Sequence, residues 1–576
     1  MRETKSLNGL WHFLLDTGDT GDWWGEYFKR QTENPRFAFI SGFEKLAWRG
    51  MRVPGCWNLE DPVLLLYEGV SWYVREFDLP TAWMGRHIHL RFEGVNERAR
   101  VWLNDQEVGR HDGGYTPFEF DVIPMAKERG NYLVVKVDNR RLPDSTIPSP
   151  PYDNLGGIYR GVNLFTTGKA KLNWFAVLPK LEEGFRNATL TVQCEVVNLE
   201  AQEIAVEAAI TIVQPDGKVV HQTTRRVSVE GGQTFLDRFE VPVDAPVLWG
   251  PGHPHLYRVH VQLMVDDDLS DEVEKRFGIR EVTVRDGRIC LNGEPIFLKG
   301  VGRHDEYPGL GRTLDEEIWR KDFELIQGVN ANAVRLVHYP HDEREVEIAD
   351  ELGLLLWEEV PLIFFPDFTN PAVTTRVCQQ LEELIRRDIN HPSVIVWSVG
   401  NEIQSDTPEA AACLITEIEL AKKLDPTRLV SFASWPLDIE KNTPLAFVDV
   451  IAFNRYRGWY DSGIPGITEE ILAYRATYPD KAILVSEFGA GAVRGFRAES
   501  GERWTEEYQA KVIRENIEYM LKSGELSGCF IWCFANFGGL LPSNIYERGN
   551  IKGLVDGYRI PKLAYWVVKE IYGGIH

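Results

Sequence analysis

The C-terminal half of the chain alternates two hydrophobic periods, and few folds accept that pattern. Short apolar runs recur at IFLKG (296–300), NAVRL (332–336), LLLWEEV (354–360), SVIVWSVGNE (393–402), RLVSFAS (428–434), DVIAFNRY (449–456), AILVSEFG (482–489) and GCFIWCF (528–534). Between them lie stretches with helical spacing of apolar residues. Buried strands read as continuous apolar runs, and amphipathic helices as a 3.6-residue stripe. Eight such strand candidates within residues 282–576 predict a closed (β/α)8 barrel.

The preceding residues read differently. WYVREFDLP (72–80), HIHLRFEGV (87–95), ARVWLND (99–105) and YLVVKVDN (132–139) alternate with period two between Gly-, Pro- and Asn-rich turns. That spacing predicts a jelly-roll-like β-sandwich over 1–168. TLTVQCEVVN (189–198), VEAAITIVQPDGKVV (206–220) and YRVHVQLMV (257–265) predict a second, immunoglobulin-like sandwich over 169–281. With no low-complexity linker between them, the three units are expected to pack as one body.

Charge narrows the partners. The net charge is −23 and no Lys/Arg-rich run stands out, so nucleic acid and anionic membranes are poor partners. An acidic ligand would need a local cation to overcome that field. The seven cysteines are scattered without metal-ligand or redox spacing, and no apolar run reaches 18 residues. No leader-like apolar segment opens the chain. A cytoplasmic protein with reduced, mostly buried thiols and without metal or organic cofactor is the expectation, and a homo-oligomer is expected as well.

Barrels of this kind carry catalytic groups at the C-terminal ends of their strands. Glu402 closes the fourth strand candidate and Glu487 the seventh. Either alone reads as a charged residue entering a loop. Two carboxylates at one barrel mouth are what acid–base glycoside hydrolysis requires.

The surrounding motifs sharpen this. NHPSVIVWSVGNE (390–402) and SEFG (486–489) resemble the acid/base and nucleophile motifs of family 2 glycoside hydrolases. VPGCWN (53–58), YEGVSWYVREF (67–77), VWLNDQEVGRHDGGYTPFEFDV (101–122) and GGIYR (156–160) resemble that family's sugar-binding sandwich. WGPGHPHLY (249–257) and RFGIREV (276–282) resemble its passage into the barrel. The likeness runs the length of the chain, in order.

The resemblance implies roles. Glu402 would be the acid/base and Glu487 the nucleophile of a retaining reaction. Asn401 would bond the sugar 2-hydroxyl, Arg335 would hold the nucleophile, and His338 would touch the sugar. Tyr456 would orient Glu487, Trp459 and Tyr460 would shape the pocket, and Trp532 would be a platform for the ring. Asp153 would reach the sugar from the first sandwich, although it stands nearer the glycines of DNLGGIYR (153–160) than the family pattern has it. In RGNIKG (548–553), after the eighth strand, Asn550 and Lys552 match the Asn-x-Lys pair of members that act on glucuronides. A lysine charge and an amide donor suit a C6 carboxylate. Asn536 stands where an Asp is usual, and Leu336 and Val337 where more polar residues are common, which leaves the C4 epimer open.

The expected activity is hydrolysis of β-D-glucuronides, either small glucuronides or glucuronate-capped oligosaccharides. A β-galacturonidase, a neutral-sugar β-glycosidase and a non-catalytic carbohydrate-binding protein remain alternatives. The short stretch PLIFFPDFTNPAV (361–373) predicts an open mouth.

Overall fold

The computed structural model describes residues 2–19, 49–148, 153–435, 439–538 and 549–575. Two all-antiparallel sandwiches precede a closed eight-stranded parallel barrel. The first sandwich opposes a four-stranded and a six-stranded sheet. Its strand Arg98–Leu103 buries every second residue, as a strand with one wet face must. Trp11, Phe13, Trp57, Tyr73 and Phe92 fill the space between the sheets. In the second sandwich Asn187–Asn198 shows the same strict alternation, and it pairs with Ala170–Leu181 and Thr234–Asp244.

The barrel strands are Leu298–His304, Ala333–Val337, Leu355–Glu359, Val394–Asn401, Leu429–Ser434, Val450–Asn454, Ala482–Phe488 and Gly528–Ile531. All eight predicted runs are therefore strands, in order. The first is displaced from its predicted place: IFLKG supplies only its start, and it continues through Gly300 and Gly302 to His304. Glycines suggest a strand end in sequence. Here a Cβ at Gly300 would lie 2.2 Å from Phe530, and one at Gly302 would lie 3.1 Å from Trp532. The glycines let the eighth strand's aromatics press against the first, and the extension carries His304 to the barrel mouth.

The second sandwich is latched to the barrel's N-terminal end by the residues before the fourth strand. Asn390 accepts from the Val177 backbone N–H at 2.8 Å and donates to the Phe175 carbonyl at 2.9 Å. Ala170–Leu181 is an edge strand of its sheet, so Asn390 satisfies part of an otherwise open ladder. Behind it His391 bonds Asp350 at 2.6 Å, and although burial alone would lower its pKa, Asp350, with Glu343 and Asp388, holds the imidazole proton up to about pKa 10. All seven cysteines are free. Among the described residues, no helix is long and apolar enough to cross a membrane.

Candidate active site

The fourth strand ends at Asn401, and Glu402 follows it with φ +54°. Such a backbone is costly for a side chain with a Cβ and marks a position held by its surroundings. Glu487 lies inside the last turn of the seventh strand and is 4 % exposed. Arg335, from the second strand, donates to Glu487 Oε1 at 2.8 Å, and the Tyr456 hydroxyl donates to Oε2 at 2.6 Å. Both oxygens of Glu487 are thus fixed.

Asn454, ending the sixth strand, links Glu402 to Asn401 and to Ser486, the residue before Glu487. Its amide donates to Glu402 Oε1 at 2.8 Å and to Asn401 Oδ1 at 3.1 Å, while its carbonyl oxygen accepts from Ser486 at 2.7 Å. Burial, and then the Glu487 charge, push the Glu402 carboxyl up to about 8. A carboxyl in that range keeps its proton at neutral pH and can donate it.

Asn401 Oδ1 also accepts from Arg335 at 2.8 Å. With two N–H donors on the oxygen, the amide orientation is determined, and its NH2 is left to donate into the pocket. His338 is held through Nδ1 by Glu359 at 2.6 Å, and its Nε2 lies 3.9 Å from Glu487. Trp532 stacks on His338 with centroids 5.2 Å apart and an 18° tilt. The indole is 4 % exposed.

Lys552 is 5 % exposed and makes no ion pair with any described carboxylate. Its Nζ donates to the Tyr460 hydroxyl at 2.9 Å and lies 5.0 to 5.7 Å from the rings of Tyr460, Tyr456 and Trp459. A buried ammonium normally carries an anionic partner. Its loop is laced firmly in place. Asn550 Oδ1 accepts from the Lys552 N–H at 3.0 Å, Gln509 donates to the Lys552 carbonyl at 3.1 Å, and Asn536 accepts from Gly553 and Lys562. Asn536, which departs from the family pattern, is therefore a brace for this loop. Arg548 lies outside the described residues.

The peripheral expectations divide. Trp459 is buried against Trp504, Ala490 and Val512, presenting a wall to Lys552, whereas Tyr460 is largely exposed. Asp153 sits on the seam between first sandwich and barrel, its carbonyl accepting from Arg312 at 3.2 Å. Its carboxylate and that of Glu306 both approach Gly538. Burial, and then Asp153, raise the Glu306 carboxyl to about 7.

Sequence reasoning missed Glu359, which accepts three bonds from Arg335 and one each from His338 and Ser398. It also missed Asn454 and His304, although Asn454 stands in the motif that yielded Tyr456. One cluster among the described residues, Asp305, His341 and Glu345, brings three ligand atoms together as a metal site would. Arg303 Nη1 already lies 2.8 Å from Glu345, 3.5 Å from His341 and 3.5 Å from Asp305. The guanidinium fills the place a metal cation would take.

The comparisons agree with this architecture. Residues 4–168 match "Glycosyl hydrolases family 2, sugar binding domain", 170–280 match "Glycosyl hydrolases family 2", and 282–576 match "Glycosyl hydrolases family 2, TIM barrel domain". A beta-glucuronidase of Streptococcus agalactiae is 30% identical, the alignment covering 99% of this chain and 95% of that one. A beta-galacturonidase of Eisenbergiella tayi bound to galacturonate superposes with TM-score 0.87 at 30% identity, over 100% of this chain and 98% of that one. Beta-glucuronidase 2 of Bacteroides uniformis, covalently bound to cyclophellitol-6-carboxylate aziridine, superposes with TM-score 0.89 at 28% identity, over 100% of this chain and 70% of that one. The chain belongs to glycoside hydrolase family 2 and is a glycoside hydrolase resembling the beta-glucuronidases.

Proposed function

We propose that this enzyme hydrolyses β-D-glucuronides with retention of configuration. In the first step Glu487 attacks the anomeric carbon while Glu402 gives its proton to the departing oxygen. In the second, Glu402 takes a proton from water, which displaces Glu487 from the sugar. Arg335 and Tyr456 keep Glu487 aimed and unable to rotate away. Asn401 donates to the 2-hydroxyl, a bond that strengthens as positive charge develops on the ring. Trp532 and His338 form an aromatic floor for the sugar. A nucleophile of this kind agrees with the covalent complex formed by the Bacteroides relative.

The observation that carries the substrate is Lys552, a buried cation with no described carboxylate partner in a chain of net charge −23. A C6 carboxylate supplies the missing anion, and the Asn550 amide adds a donor. The test is the ratio of kcat/KM for an aryl glucuronide to that for the matching glucoside. Lys552→Ala is expected to lower that ratio by roughly ten- to a hundredfold, the loss of one charge-assisted bond of about 1.5–3 kcal/mol. Asn550→Ala should lower it less. An unchanged ratio in Lys552→Ala would remove the main support for a uronate substrate.

A β-galacturonide is the second reading, favoured by the Eisenbergiella relative and by the Asp153–Glu306 carboxyl pair at the seam. Aryl glycosides differing only at C4 decide between the two. The connection from Glu359 to the helix at Pro371 is short and carries an exposed Phe365, which suits an open mouth and bulky aglycones.

A further inference from the structure

A leaving group departs on the side of the residue that protonates it, so the chain flanking Glu402 decides what that group can be. Asn401, just before Glu402, is paired on both sides, with Ile363 from the connection after the third strand and with Ala433 of the fifth strand. Its backbone N–H donates to the Leu362 carbonyl at 2.9 Å, and its carbonyl accepts from Phe364 at 3.1 Å. The Glu402 N–H donates to the Ala433 carbonyl at 2.8 Å. Two residues beyond Ile363 stands Phe365, and two residues beyond Ala433 stands Trp435. Phe365 is 67 % exposed and Trp435 is 51 % exposed. Two large aromatics are thus left in solvent at matching places on either side of the proposed proton donor.

The connection after the third strand is held firmly. The Ile363 N–H donates to the Thr146 carbonyl of the first sandwich at 3.2 Å. Phe364 takes φ +60°, a costly backbone for a residue with a Cβ, and packs against the apolar cluster that holds Trp532. Phe365 stacks on Phe364 with centroids 6.2 Å apart and a 24° tilt. Aromatic surface therefore continues outward from the cluster of the proposed sugar floor to the exposed ring of Phe365.

Charge here has the opposite sense to that at Lys552. Besides Glu402, the described charged residues within 360–370, 402–407 and 435–442 are Asp367, Asp406, Glu440 and Lys441. Three acids against one base, in a chain of net charge −23, disfavour an anionic leaving group. Exposed aromatic faces favour a ring that offers a flat apolar face of its own.

We propose that Phe365 and Trp435 form the leaving-group subsite, that it takes a neutral ring with a flat apolar face, and that it discriminates against anionic leaving groups. This rests on Glu402 as the proton donor but not on the uronate, because neither aromatic is assigned to the C6 carboxylate. The ring could be an aryl group or a neutral pyranose.

The test is the ratio of kcat/KM for a naphthyl glucuronide to that for methyl glucuronide, read in each variant against the parent enzyme. Intrinsic leaving-group differences and general damage to the barrel cancel in that comparison. Trp435→Ala and Phe365→Ala are each expected to lower the ratio at least fivefold, chiefly through KM, and Trp435→Phe should recover most of the loss. Both side chains are exposed, so the variants should fold. Replacing the naphthyl group by a neutral hexose, β-linked to the glucuronate, identifies the ring. A fall confined to the naphthyl ratio assigns an aryl group, and a fall in the disaccharide ratio assigns a pyranose. A 4-carboxyphenyl glucuronide should be turned over at least threefold less efficiently than the phenyl glucuronide. Ratios unchanged for both leaving groups in either alanine variant, or a preference for the carboxyphenyl glucuronide, would overturn the proposal. If Lys552→Ala leaves the glucuronide-to-glucoside ratio intact, the uronate reading falls on its own. The leaving-group ratio is then taken on naphthyl and methyl glucosides, where the same losses are expected.

Discussion

Glu402 keeps its proton for two reasons that act in the same direction. Burial penalises its anion, and the neighbouring Glu487 anion repels a second charge. With its carboxyl raised to about 8, the acid form persists through neutral pH and is lost as pH rises through that value. The expected kcat/KM profile for an aryl glucuronide therefore descends above about pH 8, and Glu402→Gln should abolish that limb. The same shift bears on stability. The folded state binds a proton more tightly than the unfolded chain, so this group's contribution falls as pH rises from the ordinary carboxyl range to about 8. Above that range Glu402→Gln should melt higher than the parent enzyme. A descending limb that survives in Glu402→Gln would assign the titration to another group and the acid role with it. Arg335 plays the opposite part. It donates to Glu487, Glu359 and Asn401 together, so one guanidinium fixes the proposed nucleophile and the amide proposed to meet the sugar 2-hydroxyl.

At the scale of elements, the stretch before the fourth strand shows how one motif can serve two ends of a barrel. NHPSVIVWSVGNE delivers Glu402 at the mouth, but its first residues lie at the opposite end of the strand. There Asn390 completes the open edge of Ala170–Leu181. Asn390→Ala would leave a buried N–H and a buried C=O without partners, at about 1–3 kcal/mol each. The expected result is a lower melting temperature, with the second sandwich unfolding ahead of the barrel in calorimetry. A single transition unmoved from the parent's would mean that the latch contributes nothing. The elements themselves were legible because buried strands and amphipathic helices carry different periods. The first strand was misplaced because Gly300 and Gly302 signal a turn unless the aromatic partners, Phe530 and Trp532, are known. The two catalytic candidates were legible as strand ends. Glu359 and Asn454 were not, because their meaning lies in contacts with residues far along the chain, and nothing local distinguishes them from ordinary polar residues entering loops.

At the scale of the whole molecule, the enzyme is an anion that we propose binds anions. Net charge −23 repels a glucuronide at long range, whereas Lys552 attracts its carboxylate at contact. Salt separates these two effects, since the Debye length shrinks from about 30 Å at 0.01 M to about 10 Å at 0.1 M. Repulsion from charges spread over the surface is mostly screened across that range. The buried contact at Lys552 is screened far less, because its aromatic walls exclude counter-ions. The kcat/KM for an aryl glucuronide is therefore expected to rise as salt increases from 0.01 to 0.1 M, chiefly through KM, while that for the neutral glucoside stays level. The rise should persist in Lys552→Ala, because the repelling field belongs to the whole surface and not to the pocket. A fall with salt for the glucuronide alone would mean that Lys552 already makes the mouth attractive at a distance. In that case the net charge of the molecule has no bearing on how its substrate arrives.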